Sequence, residues 1–371
     1  MNSDQKQEQV KIVLAHDSFT QFGGGERVIK AIHEVYPESP IYALATSPKV
    51  ETYLDGANIK TSLLQKLYKL FPHLQMWFVF VPIVLKFFKI ENTDVLLSSS
   101  SAYMKGVKKP AGSIHINYCH TPTRFLWNDV VYAEGEVHPF LRPLMRLYFW
   151  WLRRWDLRAV SKIDYFIANS KEVQNRIKRY YGRDSELIYP SVDTEFWKPT
   201  IGKQDYFLIA GRITPYKGYD TIINIFNELK LPLHVIGEGR YQDYLKSIAN
   251  PNVKFYGKIS DEALRDQYSG ALAFIYPQVE DFGLMPLEAS SCGTPTIALA
   301  KAGSLETVVE GETGELLEEF SVETLKPIIQ KISAHQYHQE QMQLHAKKFS
   351  KEEFQSKIKQ YVEKVTNAHH R

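Results

Sequence analysis

YFLIAGRITPYKGYDTIINIF (206–226) begins as a short apolar run, turns through Gly211, Pro215 and Gly218, and continues as a helix. A strand that feeds a helix through a glycine-bearing turn is one βα step. The step recurs downstream at LHVIGEG (233–239), VKFYGKI (253–259), AFIYP (273–277) and PTIALA (295–300). An earlier series precedes it: VKIVLAHD (10–17), IYALAT (41–46), DVLLSSS (94–100), SIHINYCHT (113–121), DYFIANS (164–170) and ELIYP (186–190). Two such series predict an α/β chain of two doubly wound, Rossmann-like domains with parallel sheets, facing across a cleft. The length of 371 residues agrees, because a single core stops growing at about 250–300 residues.

YPSVDTEFWKPTIGKQD (189–205) lacks helical or strand periodicity and reads as a linker, with the boundary near Pro190–Lys203. The expected domains are 1–190 and 204–349. The last segment, 350–371, spaces Phe354, Ile358, Tyr361, Val362 and Val365 as one helical face that can pack back on the first domain.

Composition is that of an ordinary folded protein, with 44% hydrophobic and 23% charged residues. Only Cys119 and Cys292 are present, in no metal-ligand spacing, so a zinc site and disulfide stapling are not expected. MNSDQKQEQVKIVLAHD (1–17) contains no apolar signal segment, and a cytoplasmic location is the expectation. Residues 1–190 hold 25 Lys and Arg against 18 Asp and Glu, whereas the remainder holds 20 against 24. The first half is therefore the basic one, which suits an anionic partner.

HDSFTQFGGGERVIKAIHEVY (16–36) places Gly23, Gly24 and Gly25 between a strand and a helix, where a phosphate can approach free amides at the helix start. Val28 stands where a dinucleotide fingerprint needs its third glycine, and no GK[ST] ending makes a P-loop. In the second half, Arg212 ends a strand and Lys217 follows five residues later. Such cations suit a diphosphate, Arg as a fork and Lys as a point charge. PQVEDFGLMPLEASSCGTPTIAL (277–299) then sets Glu280 in a loop and Glu288 near a helix start opened by Gly283. Carboxylates accept hydrogen bonds from sugar hydroxyls, and the amides of Leu284 and Met285 suit a phosphate.

GRITPYKG, VIGEG, YGKIS, EDFGLMPLEASSCGTPTIA, AGSLETV and TGELL together resemble the donor domain of family 4 glycosyltransferases of the two-Rossmann GT-B type. GGGERV and CHTPTRFLW (119–127) extend the resemblance over nearly the whole chain. It implies a retaining, metal-independent hexosyltransferase. Arg212 and Lys217 would hold the donor diphosphate, Glu280 the transferred sugar and Glu288 the ribose. His120 matches the family's active-site histidine, and Gly24 and Gly25 its glycine loop. Gly237, Phe282, Gly283, Leu284 and Met285 complete the donor-binding set. No cofactor is implied and no metal: D-x-D, the usual carboxylate pair for a metal–diphosphate, is missing. A nucleotide-sugar epimerase and a non-catalytic nucleotide-sugar-binding protein remain alternatives. The resemblance implies a nucleoside-diphosphate hexose as donor, UDP-glucose or GDP-mannose, and a glycan or a polyprenyl-diphosphate-linked glycan as acceptor.

LFPHLQMWFVFVPIVLKFFKI (70–90) has an uncharged core of only about Leu74–Leu85, too short to span a bilayer, which takes about 20 residues. It reads as either a buried helix pair or an interfacial element. FLRPLMRLYFWWLRRWDLRAV (140–160) interleaves Arg142, Arg146, Arg153, Arg154 and Arg158 with Phe149, Trp150, Trp151 and Trp155, as an in-plane helix at anionic lipid would. A peripheral membrane contact is therefore expected, and nucleic acid is not.

Overall fold

The computed structural model describes residues 10–369 except 22, 55, 72–78, 128–137, 139, 141 and 334–336. The chain divides into two compact units: residues up to Tyr189 together with Gln355 onward, and Pro190–Phe354.

The first unit contains seven strands: β1 (Ile12–His16), β2 (Ile41–Ala43), β3 (Ile59–Thr61), β4 (Val95–Ser100), β5 (Ile114–Cys119), β6 (Tyr165–Ala168) and β7 (Glu186–Leu187). They pair in parallel in the order β3-β2-β1-β4-β5-β6-β7. β4 and β5 are buried at every position, as a central strand covered on both faces must be. β3, only three residues long and half-exposed at each, carries too weak a pattern to show in the sequence.

The second unit contains β8 (Phe207–Ala210), β9 (Leu233–Ile236), β10 (Val253–Gly257), β11 (Ala273–Tyr276), β12 (Thr296–Leu299) and β13 (Gly314–Leu317), also all parallel, in the order β10-β9-β8-β11-β12-β13. Its core gathers Phe207, Ile209, Ile222, Ile223, Phe226, Val235 and Ile275 from strands and from helix Tyr219–Leu229. In each sheet the order reverses once, between β1 and β4 and between β8 and β11. Loops leaving the carboxyl ends of those strands splay apart, and ligands bind open α/β sheets in that crevice.

The linker reading needs adjustment, whereas the last helix packs as expected. Residues 190–203 are packed onto the second unit: Trp197 is buried edge-on against Tyr268, and Val192 N–H donates to Phe349 O at 2.8 Å. One aromatic ring outweighs the local prolines and glycine. The helix Lys351–His369 places Ile358, Val362 and Val365 in the interior, and Gln355 Nε2 donates to Ala31 O and Glu34 Oε2, each at 3.0 Å, within the first unit.

Helix Arg142–Val160 divides its aromatic residues between two faces. Phe149 and Leu152 enter the core with Leu64, Val81 and Leu85, and Trp155 packs beside them. Arg153 Nε donates to Leu126 O at 2.7 Å and so belongs to the fold. The outward face keeps Leu144, Leu147, Trp150, Trp151, Leu157, Arg154 and Arg158. Much of the 70–90 stretch, 72–78, lies outside the described residues; helix Val81–Phe87 buries Val81 and Leu85 and exposes Ile83 and Phe87. Among the described residues no helix is long and apolar enough to cross a membrane.

Candidate active site

The second unit builds its crevice from four loops drawn close together. Gly211 leaves β8 at φ +124° and Gly237 leaves β9 at φ +127°, a region that L side chains avoid. A Cβ on Gly237 would sit 1.9 Å from Gly211 O, so this glycine lets the two loops touch. Arg212, next in the chain after Gly211, is exposed. A single turn, Pro215–Lys217, then brings Lys217 to the loop that follows β11. Lys217 Nζ donates to Gln278 Oε1 at 2.7 Å and lies 3.1 Å from Glu280 Oε1. Gln278 is buried and donates through Nε2 to Ala210 O at 2.9 Å. It therefore pins the lysine to the end of β8.

Past Glu280 the chain is held by Gly303 N–H, which donates to Glu280 O at 3.0 Å. A Cβ on Gly303 would meet Phe282 O at 2.1 Å, and Phe282 anchors the loop by burying its ring against Phe349. Gly283, at φ +83°, caps helix Leu284–Ser291, so the half-exposed Leu284 and Met285 contribute first-turn amides that no helical carbonyl can reach. Glu288 lies one turn further on and is buried, with Tyr268 OH 3.5 Å from its Oε2. Burial and the charge of Glu288 push the Cys292 thiol up to about 12. Among the described residues no three His, Cys, Asp or Glu gather as a metal would require.

In the first unit, His120 follows β5 and His16 ends β1, with Ser99 of β4 between them. His120 Nε2 lies 2.7 Å from Ser99 Oγ; His16 Nδ1 lies 3.1 Å from Ser99 O and 3.2 Å from Ser99 Oγ. On its other side, His16 Nε2 is 3.8 Å from Glu26 Oε1, and Glu26 Oε2 accepts from Gly23 N–H at 3.0 Å. Burial alone would raise the Glu26 carboxyl; hydrogen bonding to and attraction by His16, with the Gly23 amide, hold it below its ordinary value. Gly24 and Gly25 open helix Gly24–Val35, and a Cβ on Gly25 would be in ordinary contact, 3.6 Å, with both histidine rings. Asp17 fixes the neighbouring turn by accepting from the backbone N–H groups of Ser101, Ala102, Tyr103 and Met104 at 2.7–3.0 Å.

The structure brings Lys217 and Glu280 together and sets Arg212, Gly237, Phe282, Gly283, Leu284, Met285 and Glu288 at the carboxyl edge of the second sheet, and Gly24, Gly25 and His120 at that of the first. His16, Glu26, Ser99 and Gln278 were not marked by the sequence. GGGERV carried a signal for one of them, Glu26, since a charged side chain beside a glycine turn is well placed to bind backbone.

Residues 22–196 match the family described as Glycosyltransferase Family 4, and residues 191–349 that described as Glycosyl transferases group 1. The chain belongs to the family 4 glycosyltransferases. The chain is 28% identical over 195 residues to the D-inositol 3-phosphate glycosyltransferase of Streptomyces bingchenggensis, covering 43% of each chain. It is 27% identical over 199 residues to the GDP-mannose-dependent alpha-(1-6)-phosphatidylinositol monomannoside mannosyltransferase of Mycolicibacterium smegmatis, covering 43% of this chain and 52% of that one. It spans about half the length of these curated relatives. Among solved structures, Anabaena HepE in complex with UDP superposes with a TM-score of 0.73 at 17% identity, over 95% of this chain and 100% of that one. Sucrose-phosphate synthase from Thermosynechococcus elongatus gives 0.72 at 17%, over 96% and 100%. Both support the GT-B fold.

Proposed function

We propose that this glycosyltransferase moves a hexose from a nucleoside-diphosphate sugar to a glycan or lipid-linked acceptor, with retention and without a metal ion. The observation that carries the reading is the Lys217–Glu280 pair, 3.1 Å apart at the β8/β11 switch point, beside Arg212 and the amides of Leu284 and Met285. A cation held against a carboxylate at the mouth of a helix can meet a diphosphate on one side and a sugar hydroxyl on the other. Lys217 and Arg212 would stabilise charge developing on the departing diphosphate. Glu280 would bind a hydroxyl of the transferred hexose, Glu288 the ribose and His120 the sugar ring.

The acceptor attacks the donor face from which the diphosphate leaves. A bond forms from the acceptor oxygen to the anomeric carbon, the bond to the diphosphate oxygen breaks, and that phosphate takes the acceptor's proton. UDP-glucose and GDP-mannose are the donors to test. A thermal-shift panel of nucleotide sugars separates them, because ligand at 100 times its Kd stabilises by about 2.7 kcal/mol. NMR of the product gives the anomeric configuration, and inversion would overturn the mechanism. Turnover unchanged in Glu280→Ala would overturn the site, and turnover abolished by EDTA and restored by a divalent cation would overturn the metal independence.

The acceptor side is proposed to touch an anionic membrane peripherally. Helix Leu64–Leu70, helix Val81–Phe87 and helix Arg142–Val160 share one core, and their outer faces carry Leu70, Phe87, Leu147, Trp150 and Trp151 beside Lys66, Lys69, Arg154 and Arg158. Arg154 lies over the Trp150 ring, 3.9 Å from its centroid. Apolar side chains with interleaved cations suit the headgroup region. Arg154→Glu with Arg158→Glu abolishes co-flotation with phosphatidylglycerol vesicles on this reading; flotation equal to wild type refutes it.

A further inference from the structure

The buried chain Glu26, His16, Ser99 and His120 lies at the β1/β4 switch point, where His16 and Ser99 are register partners. His16 and Ser99 are almost fully buried, so each polar atom needs a defined partner. A backbone carbonyl only accepts. The 3.1 Å contact between His16 Nδ1 and Ser99 O therefore requires the hydrogen of that pair to sit on His16 Nδ1. The same N–H also points at Ser99 Oγ, 3.2 Å away, and occupies one of its lone pairs. The hydroxyl hydrogen is then directed to its nearer neighbour, His120 Nε2 at 2.7 Å. With Nε2 accepting, a neutral His120 carries its proton on Nδ1.

We propose that His16 and Ser99 are positioning residues that hold His120 in its Nδ1–H form. Glu26 also ties this chain to the glycine loop, because its second oxygen accepts from Gly23 N–H. A Cβ added at Gly25 would lie 3.6 Å from both imidazoles, and the His16 and His120 rings stand edge-on with centroids 6.5 Å apart. One carboxylate thus holds the glycine loop beside the histidine pair. The consequence for turnover rests on the role proposed above for His120; the tautomer itself does not.

The experiment is long-range 1H–15N correlation on full-length protein labelled with 15N-histidine, at a pH where the ring is neutral, with His120 assigned by His120→Gln. Wild type is expected to show the Nδ1–H pattern at His120. Ser99→Ala should lose that preference and lower kcat about tenfold at unchanged donor KM. A pair at the next position guards against misfolding. His16→Asn keeps an N–H donor at the Nδ1 position and should retain the pattern, whereas His16→Gln moves the amide toward Glu26 and should lose it. An Nε2–H pattern in wild type, or an unaltered pattern in Ser99→Ala, overturns the proposal. A tautomer change with unaltered kcat upholds the chain and removes His120 from the proposed mechanism.

Discussion

Gly237→Ala tests whether the crevice of the second unit depends on two loops in contact. The added Cβ would lie 1.9 Å from Gly211 O, against an ordinary contact beginning at 3.4 Å, so the loops must part by about 1.5 Å. Two hydrogen bonds clamp them: Gly211 N–H to Ile236 O and Ile213 N–H to Glu238 O, both at 3.0 Å. Losing both costs about 1 kcal/mol each, and a methyl-bearing residue at positive φ adds about 1–2 kcal/mol, for roughly 3–4 kcal/mol together. For a unit of this size that is a fall in Tm of about 6–16 °C. Gly311→Ala is the internal control. Gly311 has φ +76° in the same unit but no atom within 4 Å of its added Cβ, so only the backbone term of about 1 kcal/mol remains. Differential scanning calorimetry of both variants separates strain from collision. Equal melting temperatures for the two would refute the loop-contact argument, and an undisturbed donor KM in a destabilised Gly237→Ala would detach the contact from donor binding.

Gln278→Leu removes the acceptor that holds Lys217 and the donor to Ala210 O; kcat/KM for the donor should fall roughly 10–100-fold, and steady-state kinetics matching wild type would show that Lys217 needs no such anchor. Lys105 and Asp156 form a buried pair at 2.9 Å, with Trp127 and Tyr181 also donating to Asp156. Lys105→Met should therefore cost about 3–5 kcal/mol by urea denaturation, since it strands a buried carboxylate; a loss below about 1 kcal/mol would mean the carboxylate is satisfied without the lysine. Glu26 has a folded-state carboxyl held below its ordinary value, so it binds fewer protons folded than unfolded in mild acid. Its stabilisation is present above the unfolded carboxyl value of about 4.3 and lost as pH falls through the folded one. The stability gap between wild type and Glu26→Gln should accordingly close on acidification; a gap that widens contradicts the His16 contact.

The fold was legible because central parallel strands carry apolar runs, the VLL of β4 and the AFIY of β11. Runs such as DVLLSSS and AFIYP announce β4 and β11 without knowledge of their neighbours. Edge strands lack that pattern: β3 is half-exposed, and β13 contains Glu315, which pairs with Lys331. The aromatic run at 148–155 divides between two faces for a related reason. Alternating exposure on a helix follows an angle, not composition, so Phe149 and Trp155 face the core while Trp150 and Trp151, next to one another in sequence, face out.

Site residues divide along a similar line. Lys217, Glu280 and His120 stand in loops, where a charged or imidazole side chain after a strand attracts notice on its own. His16, Ser99 and Gln278 stand on strand ends or just beyond them, in positions that read as ordinary β-sheet polarity. Their significance comes from strand order: β1 and β4 adjoin, as do β8 and β11, although about 80 and 60 residues of chain separate their ends. Two strands that leave their helices on opposite faces expose their last side chains to each other. In the first unit that exposure joins His16 to Ser99; in the second, Gln278 bridges to Ala210 and holds Lys217. The two units thus use the same topological opening for different chemistry, one to orient a histidine and the other to hold a cation.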